Sequence, residues 1–591
     1  MQLLWGDTHI HTRLSADANF SGNLTLGPEE ALRFARGEEV VAPSGLKAQL
    51  ARPLDFLVIS DHAEYLGLIP AMRAGDPSMM DSPTARRWME MLSGSRENVS
   101  QAIQEVTASF IGGKPLIENA SITRDTWAHI AAAVDEANTP GAFTAFTGFE
   151  WTSMPGEGNN LHRVVVFRDG AEKVTAVLPY SAFDSENPED LWRYLASYEQ
   201  ETGGQAFAIP HNSNVSNGLM FTESMYDGSP PTPEYTAMRA RWEPLVEITQ
   251  IKGDSEAHPL LSPGDEFADY GTWDRLNLLG NRLNEEKMLK YEYTREALKL
   301  GLRMQEDTGS NPYRFGVIGS SDAHNALAAM DEDNFWSKGP TMEPSPTRAR
   351  GPMIPSRPYP DQSMRTWEQL AAGYAAVWAT ENTREAIFDA MQRREVYATT
   401  GPRMSVRFFA GWEFADDDAL SPHLALTGYR KGVPMGGVLS ADQDVAAPTF
   451  LFAALKDTEG ANLDRVQVVK GWHDPDSGEL HERVYDVAWS GEREPGADGR
   501  LPPVGDTVDL EHATYRNSIG TAQLSGVWRD PDFDPGQRAF YYLRVLEIPT
   551  PRWVNYDVLR LGAELETGTA RAHQERAYTS PIWYEPAPGG R

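Results

Sequence analysis

Six short stretches set histidine and carboxylate side chains against apolar runs: "GDTHIHT" (6–12), "SDHAE" (60–64), "GFEW" (148–151), "NNLHR" (159–163), "IPHNSN" (209–214) and "SSDAH" (320–324). Of 13 histidines in the chain, His9, His11, His62, His162, His211 and His324 fall at these junctions. Neutral imidazoles and carboxylates are the ligand set of zinc, manganese and iron. With no cysteine, any metal must be held by His, Asp and Glu. In an extended strand Asp7, His9 and His11 alternate, so all three project from one face. Each stretch also has a bland reading: Asp322 as a turn or helix cap, Glu150 as a surface carboxylate, His211 as a hydrogen-bonded core histidine. Chance placement would scatter them, whereas ligand types at six strand junctions point to one pocket. Strands of a β/α barrel bring their C-terminal ends together at one mouth, which is where such residues would converge.

The elements that must position them follow an α/β pattern over the first two-thirds of the chain. Apolar runs predict strands at 3–7, 54–60, 142–149, 162–167, 206–210, 245–251 and 315–321. Helical periodicity appears at 28–37, opened by Pro28 and closed by Gly37, and again at 124–137 and 383–395. Residues 68–122 read as a helical insertion, and the proline-rich segment 338–360 as a long surface loop or lid. From 403 the character changes to short aromatic and β-branched strands separated by Gly, Pro and Asp turns, which predicts a β-sandwich-like domain. The expected organisation is a β/α barrel over 1–402 followed by a β-rich domain over 403–591.

The order HxH, DH, lone Glu, two separated His and DxH resembles the motif series of the PHP (polymerase and histidinol phosphatase) superfamily of metal-dependent phosphoesterases. Within it, "LLWGDTHIHT", "RPLDFLVISDHAEYLG", "GFEWTS", "SSDAHN" and the late "LEIPTPRW" look like the DUF3604 family. The resemblance runs over most of the chain and implies a distorted seven-stranded β/α barrel holding two or three divalent ions (Zn, Mn or Fe). Carried over by position, His9, His11, Glu150 and Asp322 hold a first ion, and Glu150 bridges to a second held by His162 and His211. His62, His324 and Asp17 hold a third. Asp17 stands where other PHP members have His, which makes the third site richer in oxygen and weaker for zinc relative to manganese or iron.

Such a cluster lowers the pKa of a water from 15.7 to about 7 and attracts phosphoryl oxygens, so the expected reaction is hydrolysis of a small phosphate ester. Asp7 and Asp61, and with them Glu64, are read as carboxylates that orient imidazoles. Lys252, Arg163 and Arg52 are the candidate phosphate-binding cations, with Lys252 first because it lies just past a strand end. A net charge of −32 repels polyanions, which argues against long nucleic acid and anionic membrane as partners; the sequence leaves the oligomeric state unread. The absence of a long apolar run or a basic-then-apolar leader pattern predicts a cytoplasmic protein as written, or a periplasmic or secreted one if a leader was trimmed. Two other readings stand beside the phosphoesterase. One is an amidohydrolase-like hydrolase, although Glu150 occupies the place of that class's usual bridging lysine. The other is a metal-stabilised scaffold whose β-domain binds carbohydrate or a partner through Trp412, Trp472 or Trp489.

Overall fold

The computed structural model describes residues 1–371, 373–441, 446–497 and 499–587. It is a mixed α/β protein built around a large mixed sheet. The central strand, β1 (Gln2–Ile10), runs parallel to β2 (Phe56–Ile59), which runs parallel to β3 (Thr144–Trp151). Next come β4 (Arg163–Phe167), antiparallel to β3, and β5 (Ala206–Pro210), antiparallel to β4 and so aligned with β1 again. Strands β6 (Leu245–Gln250) and β7 (Gly316–Gly319) form a parallel pair in a separate sheet. The other edge of β1 pairs antiparallel with β8 (Tyr374–Ala379), and β8 with β9 (Val396–Thr399).

These runs are apolar on both faces because both faces are covered. Leu4, Phe56, Phe146, Val164, Phe207, Leu245, Ile318 and Val377, one from each of β1 to β8, share a single buried cluster on one side. On the other side the helix Ala120–Ala137 lays Trp127 edge-on to Phe149, with ring centroids 6.1 Å apart. Gly6 permits the tight spacing of β1 and β2, since a Cβ there would lie 2.5 Å from the Phe56 ring. The seven expected strands therefore lie in two hydrogen-bonded sheets. These are stitched by His11 N–H donating to Ala323 O (2.9 Å) and Asp322 N–H donating to His9 O (2.8 Å).

The predicted helices form with the caps their sequences supply. Pro28–Ala35 starts at Gly27, whose amide donates to the Glu30 carboxylate at 2.9 Å. Arg384–Gln392 is capped by Thr383, and Ala120–Ala137 by Asn119. The 68–122 insertion contains Leu68–Arg73, Pro77–Met80, Pro83–Leu92 and Arg96–Ile111, with a small core around Tyr65, Trp88 and Phe110. The proline-rich segment holds a short 3-10 turn, Pro340–Met342, and a strand, Pro352–Ile354, paired to Met364–Arg365.

The large sheet does not stop at residue 402. Strand β9 pairs with Arg576–Thr579, so strands from both ends of the chain lie in one sheet of 13. A four-stranded antiparallel sheet, Gly432–Pro434, Ser405–Gly411, Thr449–Leu455 and Gln523–Arg529, covers its C-terminal part, with Phe450 against Tyr541 at 4.5 Å. Trp412, Trp472 and Trp489 are half-buried: Trp412 packs on Tyr584, Trp472 stacks on His481, and Trp489 Nε1 donates to Arg493 O. Among the described residues no helix is long and apolar enough to cross a membrane.

Candidate metal centre

Every ligand type singled out by the sequence arrives at one end of these strands. His9 and His11 come from the end of β1, His62 from the turn after β2, Glu150 from the end of β3, His211 from the residue after β5, and Asp322 and His324 from the turn after β7. His162 corrects the expectation that each ligand follows its strand. It precedes β4, and because β4 runs against its neighbours, its start lies beside their C-terminal ends. The pairing register of β1 against β2 shifts between Asp7 and Ile10, within the stretch that carries His9. Asp322 has φ 55°, a conformation that is uncommon for a non-glycine residue. The His9 carbonyl holds it there by accepting the Asp322 amide.

Four overlapping donor sets result: His9, His11, Glu150 and Asp322; Glu150, His162 and His211; His11, Asp17, His62 and His324; and His9, His211 and Glu247, the donor atoms of each lying within 4.8 Å of one another. In the first, His9 Nε2 lies 3.1 Å from His11 Nε2, 3.3 Å from Glu150 Oε2 and 3.4 Å from Asp322 Oδ1, and His11 Nε2 lies 3.0 Å from Glu150 Oε2. Donors about 2.0 Å from a common tetrahedral centre are spaced about 3.3 Å apart, so these atoms fit one divalent ion. The other Glu150 oxygen, Oε1, lies 2.6 Å from His162 Nδ1 and 2.9 Å from His211 Nε2. Asp17 Oδ2 lies 3.2 Å from His62 Nε2 and 2.6 Å from His324 Nε2, and its 43 % side-chain exposure makes it the outermost donor. The buried His162 Nε2 and His211 Nδ1 have no hydrogen-bond partner. Two imidazole nitrogens facing each other at 3.1 Å are likewise poor partners for one another and good partners for a shared cation.

A family model described as "Protein of unknown function (DUF3604)" matches residues 1–586. The chain belongs to the DUF3604 family. No curated protein and no solved structure matches it.

Around the donors, this DUF3604 chain supplies residues that its sequence did not single out. Glu247 Oε2 lies 3.1 Å from His9 Nδ1, Ser15 Oγ 2.8 Å from His11 Nδ1 and Thr152 Oγ1 2.5 Å from His62 Nδ1, so each ring has its second nitrogen engaged. Gln250 Nε2 donates to Asp322 Oδ2 at 2.9 Å. A charge inside the otherwise apolar run "LVEITQI" was the available signal for Glu247, because a buried carboxylate must find a partner. Lys338, at the head of the proline-rich segment, had no such signal; its ammonium contacts Asp322.

The three expected orienting carboxylates hold backbone turns rather than imidazoles. Asp7 accepts from Ser321 Oγ (2.5 Å) and the His9 amide (2.9 Å), Asp61 from the Thr12 amide (2.6 Å) and hydroxyl (2.8 Å), and Glu64 from the amides of Thr152 (3.2 Å) and Ala182 (2.6 Å). Burial pushes Asp7 up to about 7 and also raises Asp61 and Glu64. Of the three candidate cations only Lys252 reaches the cluster, where it contacts Asp322. Arg163 is fully buried and bonded to Glu243 Oε1 at 3.0 Å, because the residue after His162 on a strand faces the opposite way. Arg52 forms a bidentate pair with Asp457 at 2.7 and 2.5 Å. His129 and His258 are paired elsewhere, with Glu29 and Asp274.

Electrostatics split the imidazoles into two groups. Burial opposes charging His9, but the Asp322 and Glu247 carboxylates outweigh it and raise its pKa to about 10; Asp17 and Glu150 do the same for His62, to about 9. For His162 and His324 burial wins, bringing them to about 4 and about 3. Asp322 is held well below the carboxylate range, since Lys252, Lys338 and His9 overcome its burial. Protons therefore occupy His9 and His62 near neutrality, and a divalent ion must displace them.

Proposed function

We propose that this protein is a PHP-type metal-dependent phosphoesterase, with β1 to β7 forming the distorted seven-stranded barrel of that superfamily, and that it hydrolyses a phosphate ester of a small molecule. The observation that carries this reading is the sharing of donors: Glu150 faces two donor sets with its two oxygens, and His11 belongs to two. Divalent ions bound there supply a water of lowered pKa and positive charge for the phosphoryl oxygens during in-line attack. His9, His11, Glu150 and Asp322 would hold the first, Glu150, His162 and His211 the second, and Asp17, His62 and His324 the third.

The chain's own residues support the same chemistry. Lys252 and Lys338 reach Asp322 from opposite sides of the sequence; Lys252 stays charged, while burial brings Lys338 down to about 7, and together they give an otherwise acidic protein local positive charge for one phosphate. Since Lys338 opens the proline-rich segment, that loop contributes to the rim and limits the substrate to a small one. Asp7, Asp61 and Glu64 hold the turns that bear Asp322, His11 and Glu150, which fixes the donors before substrate arrives. The half-exposed, oxygen-bearing Asp17 predicts two tightly held ions and a third that is readily lost.

Metal analysis of the purified protein, followed by assay of its Mn, Fe and Zn forms on phosphomonoesters, phosphodiesters and amides, tests the reading. Hydrolysis of a small phosphate ester by the loaded protein is the expected result. Amide hydrolysis without phosphoesterase activity would transfer the protein to the amidohydrolase class, and bound metal with no turnover of any panel member would favour a scaffold.

A further inference from the structure

The late motif "LEIPTPRW" (546–553) plays no part in the centre described above, yet it borders a second group of donors that shares no residue with the first. Glu332, His573 and Glu575 bring one donor atom each within 4.8 Å of one another. His573 Nε2 lies 2.7 Å from Glu575 Oε1 and 3.2 Å from Glu332 Oε1, close to the spacing of about 3.3 Å expected around a common ion.

The remote oxygens of both carboxylates are already held. Glu575 Oε2 accepts from Tyr270 Oη at 3.0 Å and from the Thr400 hydroxyl, and Glu332 Oε2 accepts from the Trp553 amide within the motif. That leaves both Oε1 atoms turned to the same imidazole nitrogen. An imidazolium could satisfy only one of them, because one N–H has one good direction, and Glu332 Oε1 is indeed buried with no hydrogen bond. The neighbouring Glu547, also from the motif, is 1 % exposed, lines the same cavity of about 290 Å³ as Glu332 and Glu575, and likewise has its Oε1 without a partner. Glu332 Oε1, which is unpartnered, and Glu575 Oε1, both turned to one imidazole nitrogen, form a cation site of mixed nitrogen and oxygen donors, with the buried Glu547 on the wall of the adjoining cavity.

We propose that Glu332, His573 and Glu575 form a second, structural centre that binds one divalent ion of the Mn²⁺ or Fe²⁺ type and clamps the segment following Asp322 and His324 to the C-terminal strands. Imidazole and carboxylate donors suit such ions. The clamp stabilises the loop that leads away from the first centre without taking part in its chemistry, so it stands or falls independently of the phosphoesterase reading.

Mn²⁺ itself is the probe. Crystals of the Mn²⁺-loaded full chain, measured at the manganese absorption edge, are expected to show an anomalous peak between Glu332, His573 and Glu575. Equilibrium dialysis should show one Mn²⁺ per chain fewer in Glu332→Gln and in His573→Gln than in the unaltered protein. Thr400→Val, which frees Glu575 Oε2, should weaken this ion's binding by about 10- to 100-fold. If His573→Gln fails to fold, Glu332→Gln decides the count, since its amide oxygen can still accept from the Trp553 amide without supplying a charged donor. An unchanged count in the folded variants, or no peak at this position while the first centre is filled, overturns the proposal.

Discussion

Glu247 gives the sharpest test of how the first centre is built. Its carboxylate is 2 % exposed and lies 3.1 Å from His9 Nδ1, which favours a proton on Nδ1 and directs Nε2, the nitrogen a metal ion must deprotonate, at Glu150 and Asp322. Glu247→Gln keeps the shape and removes the charge. Two effects then compete. Burial disfavours charging His9, while Asp322 and, after it, Glu247 raise its pKa to about 10; losing Glu247 therefore makes the proton on His9 easier to displace and favours metal. The same loss frees the ring's orientation and lowers its basicity, and outer-shell changes of this kind typically cost about 10- to 100-fold in metal affinity, or about 1.4–2.7 kcal/mol. Because Asp322 and Glu150 also raise the His9 pKa and stay in place, the proton-displacement cost persists and the orientation loss dominates. Competition against a calibrated chelator at neutral pH should show metal affinity lower by about 10- to 100-fold, with unchanged far-UV circular dichroism. In the unaltered protein affinity should rise with pH, as protons leave His9 and His62, and this rise should be shallower in the variant. Affinity within about twofold of the unaltered protein, which is about 0.4 kcal/mol, would refute the claim that Glu247 orients His9.

His211→Ala should abolish hydrolysis while the near-UV spectrum of the C-terminal aromatics persists, since it removes a donor to Glu150 Oε1 without touching the Phe450–Tyr541 contact; turnover at the normal rate would contradict its role. Lys338→Met should raise KM by about 10- to 100-fold, the value of one charge-assisted bond of about 1.5–3 kcal/mol, and a fall in kcat alone would misplace this residue. Glu243→Gln leaves Arg163 and Arg239, which bond its two oxygens at 3.0 and 3.1 Å, without their buried counter-charge. The expected loss is about 3–5 kcal/mol in urea unfolding with KM unchanged, and a raised KM would restore Arg163 to the substrate site. Burial pushes the Glu292 carboxyl up to about 8 although Asn284 and Gly218 donate to it. Its contribution to stability is thus full below its ordinary value of 4.5 and is lost as pH rises through about 8. Glu292→Gln should flatten that decline in urea midpoints, and an equal decline in both proteins would assign it to other groups.

Much of the centre was legible because strand-end placement is a local property. His9 and His11 two apart, Asp322 and His324 two apart, and single ligand types after "LDFLVIS", "AFTAFTGF" and "AFAIP" needed only the rule that a run of β-branched and aromatic residues ends where its backbone leaves the sheet. The helices at Pro28–Ala35, Ala120–Ala137 and Arg384–Gln392 were legible for the same reason: their periodicity and caps lie within a few residues of one another.

What the sequence by itself determined is therefore the inventory: which residues could ligate, which segments would be strands or helices, and that the ligands sit at the junctions between them. Tertiary structure decided direction and partnership. The reversal of β4 puts His162 at the cluster and turns its neighbour Arg163 away to Glu243, a choice set by hydrogen bonding to β3 and β5 rather than by anything within "NNLHR". Lys338 meets Asp322 across 16 residues, Lys252 meets it across 70 and Glu247 meets His9 across 238, and Glu332 meets His573 from the far end of the chain. The continuation of the large sheet from β9 into Arg576–Thr579, across the change of composition near residue 403, is of the same kind. Periodicity reports which face of an element is buried. The partner across that face depends on how the whole chain closes, because buried charges and open sheet edges are satisfied by whatever the packing brings to them.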